Sequence, residues 1–408
     1  MKCRFCQHKL QHEFIDLGHT PPSNSFLTKD QLNAPEVFYP LKLYVCDNCF
    51  LVQVDEYKKS AEIFNQNYAY FSSFSTSWLE HAKKYVDMIT AKLKLTRKAH
   101  VIEIASNDGY LLQYFKEKQI PCLGIEPSAN TAKAAGEKGI ETLEAFFGVD
   151  LAQRLSQQGQ TADLIIGNNV LAHVPDINDF VAGLKIILKP QGCITMEFPH
   201  LMRLIEETQF DTIYHEHYSY YSLWTVDKIF SFHGLTIFDV EQLPTHGGSL
   251  RIYAKHNDDT SKPVEVRVNF LKSLEIQKGF TNLDHYFSFA EKVQTTKRAI
   301  LKFLIEAKEK NKKIVGYGAP AKGNTLLNYC GIKTEFIDFT VDRNPLKQGH
   351  YLPGSHIFID HPDKINETRP DYLLILPWNL QDEIIEQMNF IRNWGGKFVL
   401  PIPSPKVI

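Results

Sequence analysis

Apolar positions along this chain change period several times, and each change marks an element. Residues 38–45 alternate enough to read as a strand, and residues 77–93 carry apolar side chains at helical spacing. Between residues 100 and 200, short apolar runs alternate with helical stretches. Strands are predicted at 101–104, 122–126, 163–167 and 193–198. Helices are predicted up to Lys118, over 131–138 and over 180–188, the last ending in a Lys189-Pro190-Gln191-Gly192 turn. Strands alternating with helices predict an α/β fold with a parallel sheet covered on both faces. Residues 205–255 change character, with aromatics and histidines crowded over 210–221. A long lysine-rich helix is predicted over 283–311, and its polar side reads as a solvated face. Then the alternation restarts, with strands at 313–318, 336–341, 372–376 and 397–401.

The chain of 408 residues is too long for one ordinary core, so two or three domains are expected. A net charge of -2 argues against broad nucleic-acid binding. No apolar run approaches the ~20 residues that span a bilayer, and the first residues carry no apolar signal core, so no membrane partner and a cytoplasmic location are expected. Cys3, Cys6, Cys46 and Cys49 form two CxxC pairs separated by 39 residues. Two such knuckles predict a closed four-thiolate site for a structural zinc ion. A redox CxxC usually precedes a helix in a thioredoxin-like unit, and that context is missing.

Two glycine-bearing turns and one polar tetrapeptide carry candidate chemistry. Glu103-Ile104-Ala105-Ser106-Asn107-Asp108-Gly109-Tyr110 follows a strand and opens a helix, but with one glycine it is no dinucleotide GxGxxG. Such a turn suits an adenosyl ligand without phosphates. Glu126 ends the next strand, 23 residues after Glu103 (126 minus 103), where a carboxylate accepts ribose hydroxyls. The plain alternative is an ordinary βα turn with a surface glutamate. Gly316-Tyr317-Gly318-Ala319-Pro320-Ala321-Lys322-Gly323 is a second turn after a strand, whose amides and Lys322 could take a pyrophosphate; otherwise it is only a tight turn. Tyr214-His215-Glu216-His217 gathers a phenol, a carboxylate and two imidazoles, as proton abstraction from a carbon acid requires. An extended strand would send His215 and His217 to one face and Tyr214 and Glu216 to the other, whereas a turn could aim more of them into one pocket. The spacing is not HExxH, which argues against a metal here.

Together these pieces resemble the class I S-adenosylmethionine methyltransferases, and more narrowly the sugar C-methyltransferases of deoxysugar pathways. The resemblance spans essentially the whole chain. It includes both CxxC pairs, the 106–110 turn, Gly124-Ile125-Glu126-Pro127-Ser128 and Asn168-Asn169-Val170-Leu171-Ala172-His173-Val174. It continues through the 214–217 tetrapeptide, His246-Gly247-Gly248-Ser249-Leu250-Arg251 and the 316–323 turn. It implies a zinc-binding domain over 1–75, a Rossmann-like methyltransferase domain over 76–282 and a second Rossmann-like domain that binds the nucleotide-sugar over 283–408. It implies that Glu103, Ser106, Asn107 and Gly109 line the methionyl side of the cofactor. Glu126 would hold the ribose, Ala145-Phe146-Phe147 would flank the adenine, and Asn168 and Asn169 would close the pocket near the methyl group. His217 would be the base, Tyr214 the oxyanion donor, and Glu216 an orienting or relay group. His173 would bond the keto oxygen or a neighbouring amine. Tyr68, Tyr70, Ser72, Ser73, His246, Ser249, Arg251, Gly318 and Lys322 would contact a dTDP- or GDP-linked keto-deoxysugar. Three other functions compete: a zinc-ribbon nucleic-acid methyltransferase, an inactive binding protein and, least supported by the turns, an NAD-dependent sugar dehydrogenase.

Overall fold

The computed structural model describes residues 1–64, 68 and 70–408. Its strands, in chain order, are β1 (His12–Thr20), β2 (Tyr39–Val45), β3 (Val52–Val54), β4 (Val101–Ile104), β5 (Cys122–Ile125), β6 (Thr142–Leu143), β7 (Ala162–Asn168), β8 (Leu188–Pro199), β9 (Ser219–Tyr220), β10 (Leu235–Leu243), β11 (Ser249–His256), β12 (Ile314–Tyr317), β13 (Thr340–Val341), β14 (Ile359–Asp360), β15 (Tyr372–Ile375), β16 (Lys397–Leu400) and β17 (Lys406–Val407). They form three sheets, ordered β1-β2-β3-β9, β10-β11-β8-β7-β4-β5-β6 and β14-β13-β12-β15-β16-β17.

In the second sheet the chain runs outward from β4 to β6, then returns to lay β7 beside β4. In the third it runs outward from β12 to β14, then lays β15 beside β12. Each reversal leaves a crevice beyond the carboxyl ends of the central strands, where such sheets hold ligands. The strands are near-continuous runs of buried aliphatics because helices cover both faces. No helix among the described residues is long and apolar enough to cross a membrane.

Several sequence expectations change. The second sheet is mixed, because the hairpin β10–β11 joins it antiparallel to β8. Residues 249–254 are buried on both faces, so they lack the alternation that reveals a strand. Lys189-Pro190-Gln191-Gly192 lies inside β8 as an irregularity in its pairing with β7. The long helix breaks at Ser288 into Leu283–Phe287 and Phe289–Glu309. The strand expected over 336–341 shrinks to β13, since Phe336 and Ile337 close a helical turn onto the Lys333 carbonyl. The N-terminal sheet takes its fourth strand, β9, from directly after the histidine tetrapeptide, pairing Val52 with Tyr220 and Gln53 with Ser219.

Candidate active site

The Cys3, Cys6, Cys46 and Cys49 sulfur atoms all lie within 4.8 Å of one another. Cys3–Cys49 and Cys6–Cys46 each approach to 3.5 Å. Zinc–thiolate bonds of ~2.3 Å in a tetrahedron put sulfurs ~3.8 Å apart, so the four donors fit a zinc ion with no open position. Gln53 Nε2 donates to the Cys3 sulfur at 3.3 Å, the kind of outer contact that orients a ligand. Arg4, between two ligands, donates to the carbonyls of Val54 and Pro175 at 2.7 and 3.0 Å and ties the knuckle to β3 and to the loop that follows β7.

One cavity of about 860 Å³ receives the ends of both crevices. That lies at the upper end of the ~300–1,000 Å³ range of ligand sites. Its methyltransferase-type side begins at the turn after β4, where Ala105 and Asn107 take φ of 57° and 50°. Two non-glycine residues in the left-handed region mark stored strain of the sort found at functional sites. Glu126 holds this turn: its carboxylate accepts the amides of Asn107 and Ser128, both at 2.9 Å. Burial raises its pKa above the usual carboxylate range. Asn107 in turn accepts the Ser72 amide at 2.9 Å and donates to the Tyr70 carbonyl at 3.1 Å, stapling the aromatic segment over the turn. Ala69 of that segment lies outside the described residues. Ile104, Ile125, Pro127, Phe146 and Phe147 supply an apolar slot beside Glu126. A carboxylate above an apolar slot, with one glycine in the turn, fits an adenosine better than a pyrophosphate.

The tetrapeptide is a turn, closed by the His217 amide on the Tyr214 carbonyl at 3.0 Å. Tyr214, Glu216 and His217 therefore line the cavity together. His215 leaves in the other direction, toward the Pro40 carbonyl at 3.1 Å, with Tyr39 and Tyr57 packed edge-on against its ring. Carbonyl acceptors settle the tautomers. His217 Nδ1 donates to the Thr212 carbonyl at 3.1 Å and His173 Nδ1 to the Glu216 carbonyl at 2.8 Å. Each Nε2 then carries a lone pair, and that of His217 accepts the Tyr214 hydroxyl at 2.8 Å. Burial drives the His217 pKa well down, and the neighbouring His173 adds to this. Burial holds His173 near about 4. Burial acts in the opposite direction on Glu216, raised to about 7 although Asn24 donates to it at 2.7 Å. Groups pushed apart in this way can hold and release a proton near neutral pH. A neutral His173 accepts at Nε2, so it can take an amine or hydroxyl proton but cannot donate to a keto oxygen.

The rest of the wall comes from two further elements. His246 sits on the β10–β11 hairpin, also at φ 55°, and pairs with the Asn169 amide at 2.8 Å. From the third sheet come Gly318 and Lys322, the latter donating to Asn379 at 2.7 Å. Asn168, Asn169, His173, Tyr68, Tyr70 and Ser72 also line the cavity.

Six expected residues do not line it. Alternation along β4 turns Glu103 with Val101 toward the helix Thr76–Leu93, where its carboxylate is fully buried. Ser106 packs onto Gly124, where an added Cβ would meet its Oγ at 2.4 Å. Gly109, at φ 73°, serves the close approach of Ile140 and Ala135. The Ser73 hydroxyl is taken by Asp108. Arg251 is spent on Glu197 at 2.6 Å and Glu241 at 3.1 Å, with Tyr85 beneath its guanidinium. A buried cation goes to the buried Glu197 and the half-buried Glu241, which corrects its reading as a substrate contact. Ser249 likewise bonds the Thr245 carbonyl within its own hairpin at 3.0 Å.

Sequence reasoning missed Trp78, Glu197, Thr245 and Asp342. Glu197 closes the second sheet's end of the site: its carboxylate accepts Thr245 at 2.7 Å and its carbonyl the Asn169 amide at 2.7 Å. Asp342 ends β13 and accepts the Ala319 amide at 2.7 Å, as Glu126 accepts that of Asn107. Its position after the second strand of a βαβ unit was the available signal.

A zinc binding domain model matches residues 3–64, a methyltransferase domain model residues 78–240, and a C-methyltransferase C-terminal domain model residues 244–403. The C-methyltransferase NovU of Streptomyces niveus is 34% identical over 410 residues, covering 100% of this chain and 96% of that protein. The chain belongs to the C-methyltransferase family. It is an enzyme with an S-adenosylmethionine-dependent methyltransferase domain and a zinc-binding domain. Among solved structures, the PH0226 protein of Pyrococcus horikoshii OT3 is similar at TM-score 0.38 and 15% identity, over 49% of this chain and 99% of that one. Magnesium protoporphyrin IX methyltransferase of Synechocystis PCC 6803 is similar at 0.34 and 16%, over 43% and 81%. In this methyltransferase the match boundary at residue 244 cuts through the hairpin that carries His246, so the C-terminal region supplies β11 to the central sheet.

Proposed function

We propose that this C-methyltransferase acts on a nucleotide-linked 4-keto-deoxysugar and methylates it at C-3. The observation that carries the reading is the Tyr214–His217 pair, a neutral imidazole lone pair and a phenol hydroxyl 2.8 Å apart in a cavity fed by two crevices. Carbon methylation needs a carbanion-like carbon, and a sugar C–H becomes acidic only beside a carbonyl.

His217 Nε2 takes the C-3 proton once substrate draws the Tyr214 hydroxyl away onto the keto oxygen. Thr212 keeps His217 in the tautomer that leaves Nε2 free, and Tyr214 stabilises the charge developing on oxygen. Glu216, near about 7, passes protons between this pair and solvent. His173 Nε2 accepts from the C-3 amine or hydroxyl and fixes the ring. Glu126 and the 105–109 turn hold the nucleoside of S-adenosylmethionine, with Phe146 and Phe147 against the base and Asn168 and Asn169 near the reacting end. When bound, the cofactor supplies an electrophilic methyl group in the same cavity, and proximity then lowers much of the barrier. The cavity segments around Tyr68, Tyr70 and Ser72 receive the dTDP or GDP carrier, with the Gly318 turn on the sugar's side of its diphosphate. Residues 1–75, 76–282 and 283–408 thus act as zinc-binding, methyl-transferring and nucleotide-sugar units. Both substrates are metabolites of the cytoplasm, where we place the enzyme.

The test is incubation of the purified protein with S-adenosylmethionine and a panel of dTDP- and GDP-linked 4-keto-6-deoxyhexoses in deuterated water. Mass spectrometry follows S-adenosylhomocysteine and the sugar. A methylated nucleotide-sugar is expected. Absence of both deuterium exchange and methylation across the panel rejects the sugar substrate.

A further inference from the structure

We propose that Lys322 is a catalytic residue whose ammonium stabilises the enolate oxygen formed on the substrate, rather than a pyrophosphate ligand. This rests on the keto-sugar reading above.

The placement of Lys322 carries the inference. It is the second residue of the helix Ala321–Cys330, and that helix is docked on the histidine turn. Thr325, one turn on and on the same helix face, donates to the Ile213 carbonyl at 2.8 Å, directly before Tyr214. The Lys322 ammonium lies 4.6 Å over the Trp378 ring. Trp378 donates to Asp211 at 2.7 Å and packs against Gly247, beside His246. One cation thus sits among the segments that carry Tyr214, His217 and His246.

Its own contacts are incomplete. Its one hydrogen bond among the described residues is to the neutral Asn379, and it forms no ion pair with a carboxylate there. A buried ammonium has three donors and normally finds an anion. Burial lowers its pKa to about 8, so it stays charged at neutral pH, while His173 and His246 are both held near about 4. The site therefore holds a positive charge that no carboxylate touches: Asp211, spent on Trp378, favours the charged form of Lys322 only from behind the indole. Removing the C-3 proton creates a counter-charge: the proton goes to His217 Nε2, the C–H electron pair forms the C3–C4 double bond, and the carbonyl π pair moves onto oxygen. Pyrophosphate is the poorer occupant. The amides of Gly318 and Ala319 in the adjoining turn already donate to Val341 at 2.6 Å and to the Asp342 carboxylate at 2.7 Å, which leaves a negative group facing the turn.

The experiment uses full-length zinc-loaded enzyme and the variants Lys322→Met and Lys322→Arg. Calorimetry measures dTDP and GDP binding, which offers the pyrophosphate without a sugar. Mass spectrometry measures C-3 deuterium exchange into saturating nucleotide-linked 4-keto-6-deoxyhexose with S-adenosylhomocysteine present. Lys322→Met should lower exchange by ~100- to 1,000-fold and change nucleoside diphosphate affinity by less than about twofold, with partial rescue by ethylammonium. Lys322→Arg, which keeps a cation should Lys322→Met fold poorly, should regain part of the exchange. A tenfold loss of diphosphate affinity with normal exchange overturns the proposal in favour of a phosphate ligand. Wild-type enzyme that exchanges no deuterium overturns the sugar reading, and this inference with it.

Discussion

Replacing Arg251 with methionine should destabilise the protein severely, and the structure sets the size of the effect. Arg251 and Glu197 are 4% and 0% exposed and meet at 2.6 Å. At an effective dielectric of ~20, charge centres ~4 Å apart attract by ~4 kcal/mol. Removing one member of such a pair leaves the other buried and unpaired, which costs ~3–5 kcal/mol. Glu197 shows the same balance from its own side. Burial would raise its pKa, yet His81, Arg251 and Thr245 hold it at about 2. A depressed carboxylate contributes stability above its unfolded pKa of ~4.3 and loses it as pH falls through the folded value. The Arg251→Met penalty should therefore be largest at neutral pH and shrink below about pH 4. Urea denaturation followed by circular dichroism measures it. The double variant Arg251→Met/Glu197→Met should recover most of the loss, because no charge is left stranded. A single-variant cost under ~1 kcal/mol at pH 7, or a double variant no better than the single, would refute the reasoning. Selective loss of nucleotide-sugar affinity with unchanged stability would return Arg251 to the substrate.

His217→Asn should keep S-adenosylmethionine affinity in calorimetry and lose ~100- to 10,000-fold in turnover; near-normal turnover removes His217 from the mechanism. Glu216 is raised by burial to about 7, so wild-type stability should fall as pH rises from ~4.3 to that value. Glu216→Gln should flatten this slope, to which the buried Asp211, raised to about 6, also contributes, and be the more stable form at pH 8 by ~3 kcal/mol, measured by urea titration across pH; an unchanged slope assigns it to another group. Cys46→Ser should eliminate bound zinc, read by elemental analysis, and disturb the near-ultraviolet spectrum of the tyrosines after residue 217, because β3 pairs with β9. Metal loss with an unaltered spectrum would uncouple the zinc unit from the histidine turn.

By itself, the sequence determined what depends on short spacing. CxxC separations place paired thiolates, period changes mark the strands β4, β5, β7 and β12, and glycine-bearing turns after strands mark both crevices. Whole-chain order and motif content were enough to indicate the family. Tertiary structure decided everything that depends on partners distant in the chain. His217 and His173 owe their tautomers to carbonyls, and their neutrality to burial that no local window contains. The turn at 214–217 sends His215 away from its neighbours because Pro40 offers a carbonyl there. Arg251 looked free beside a glycine pair, but folding brings Glu197 to it, 54 residues away. Lys322 belongs by sequence to a nucleotide-type turn, yet its helix is docked on the histidine turn by a bond 112 residues long in sequence. Spacing fixes which groups can meet within one turn or strand. Dielectric environment, proton position and counter-charge are properties of the assembled cavity, and they exist only once separate segments have closed around it.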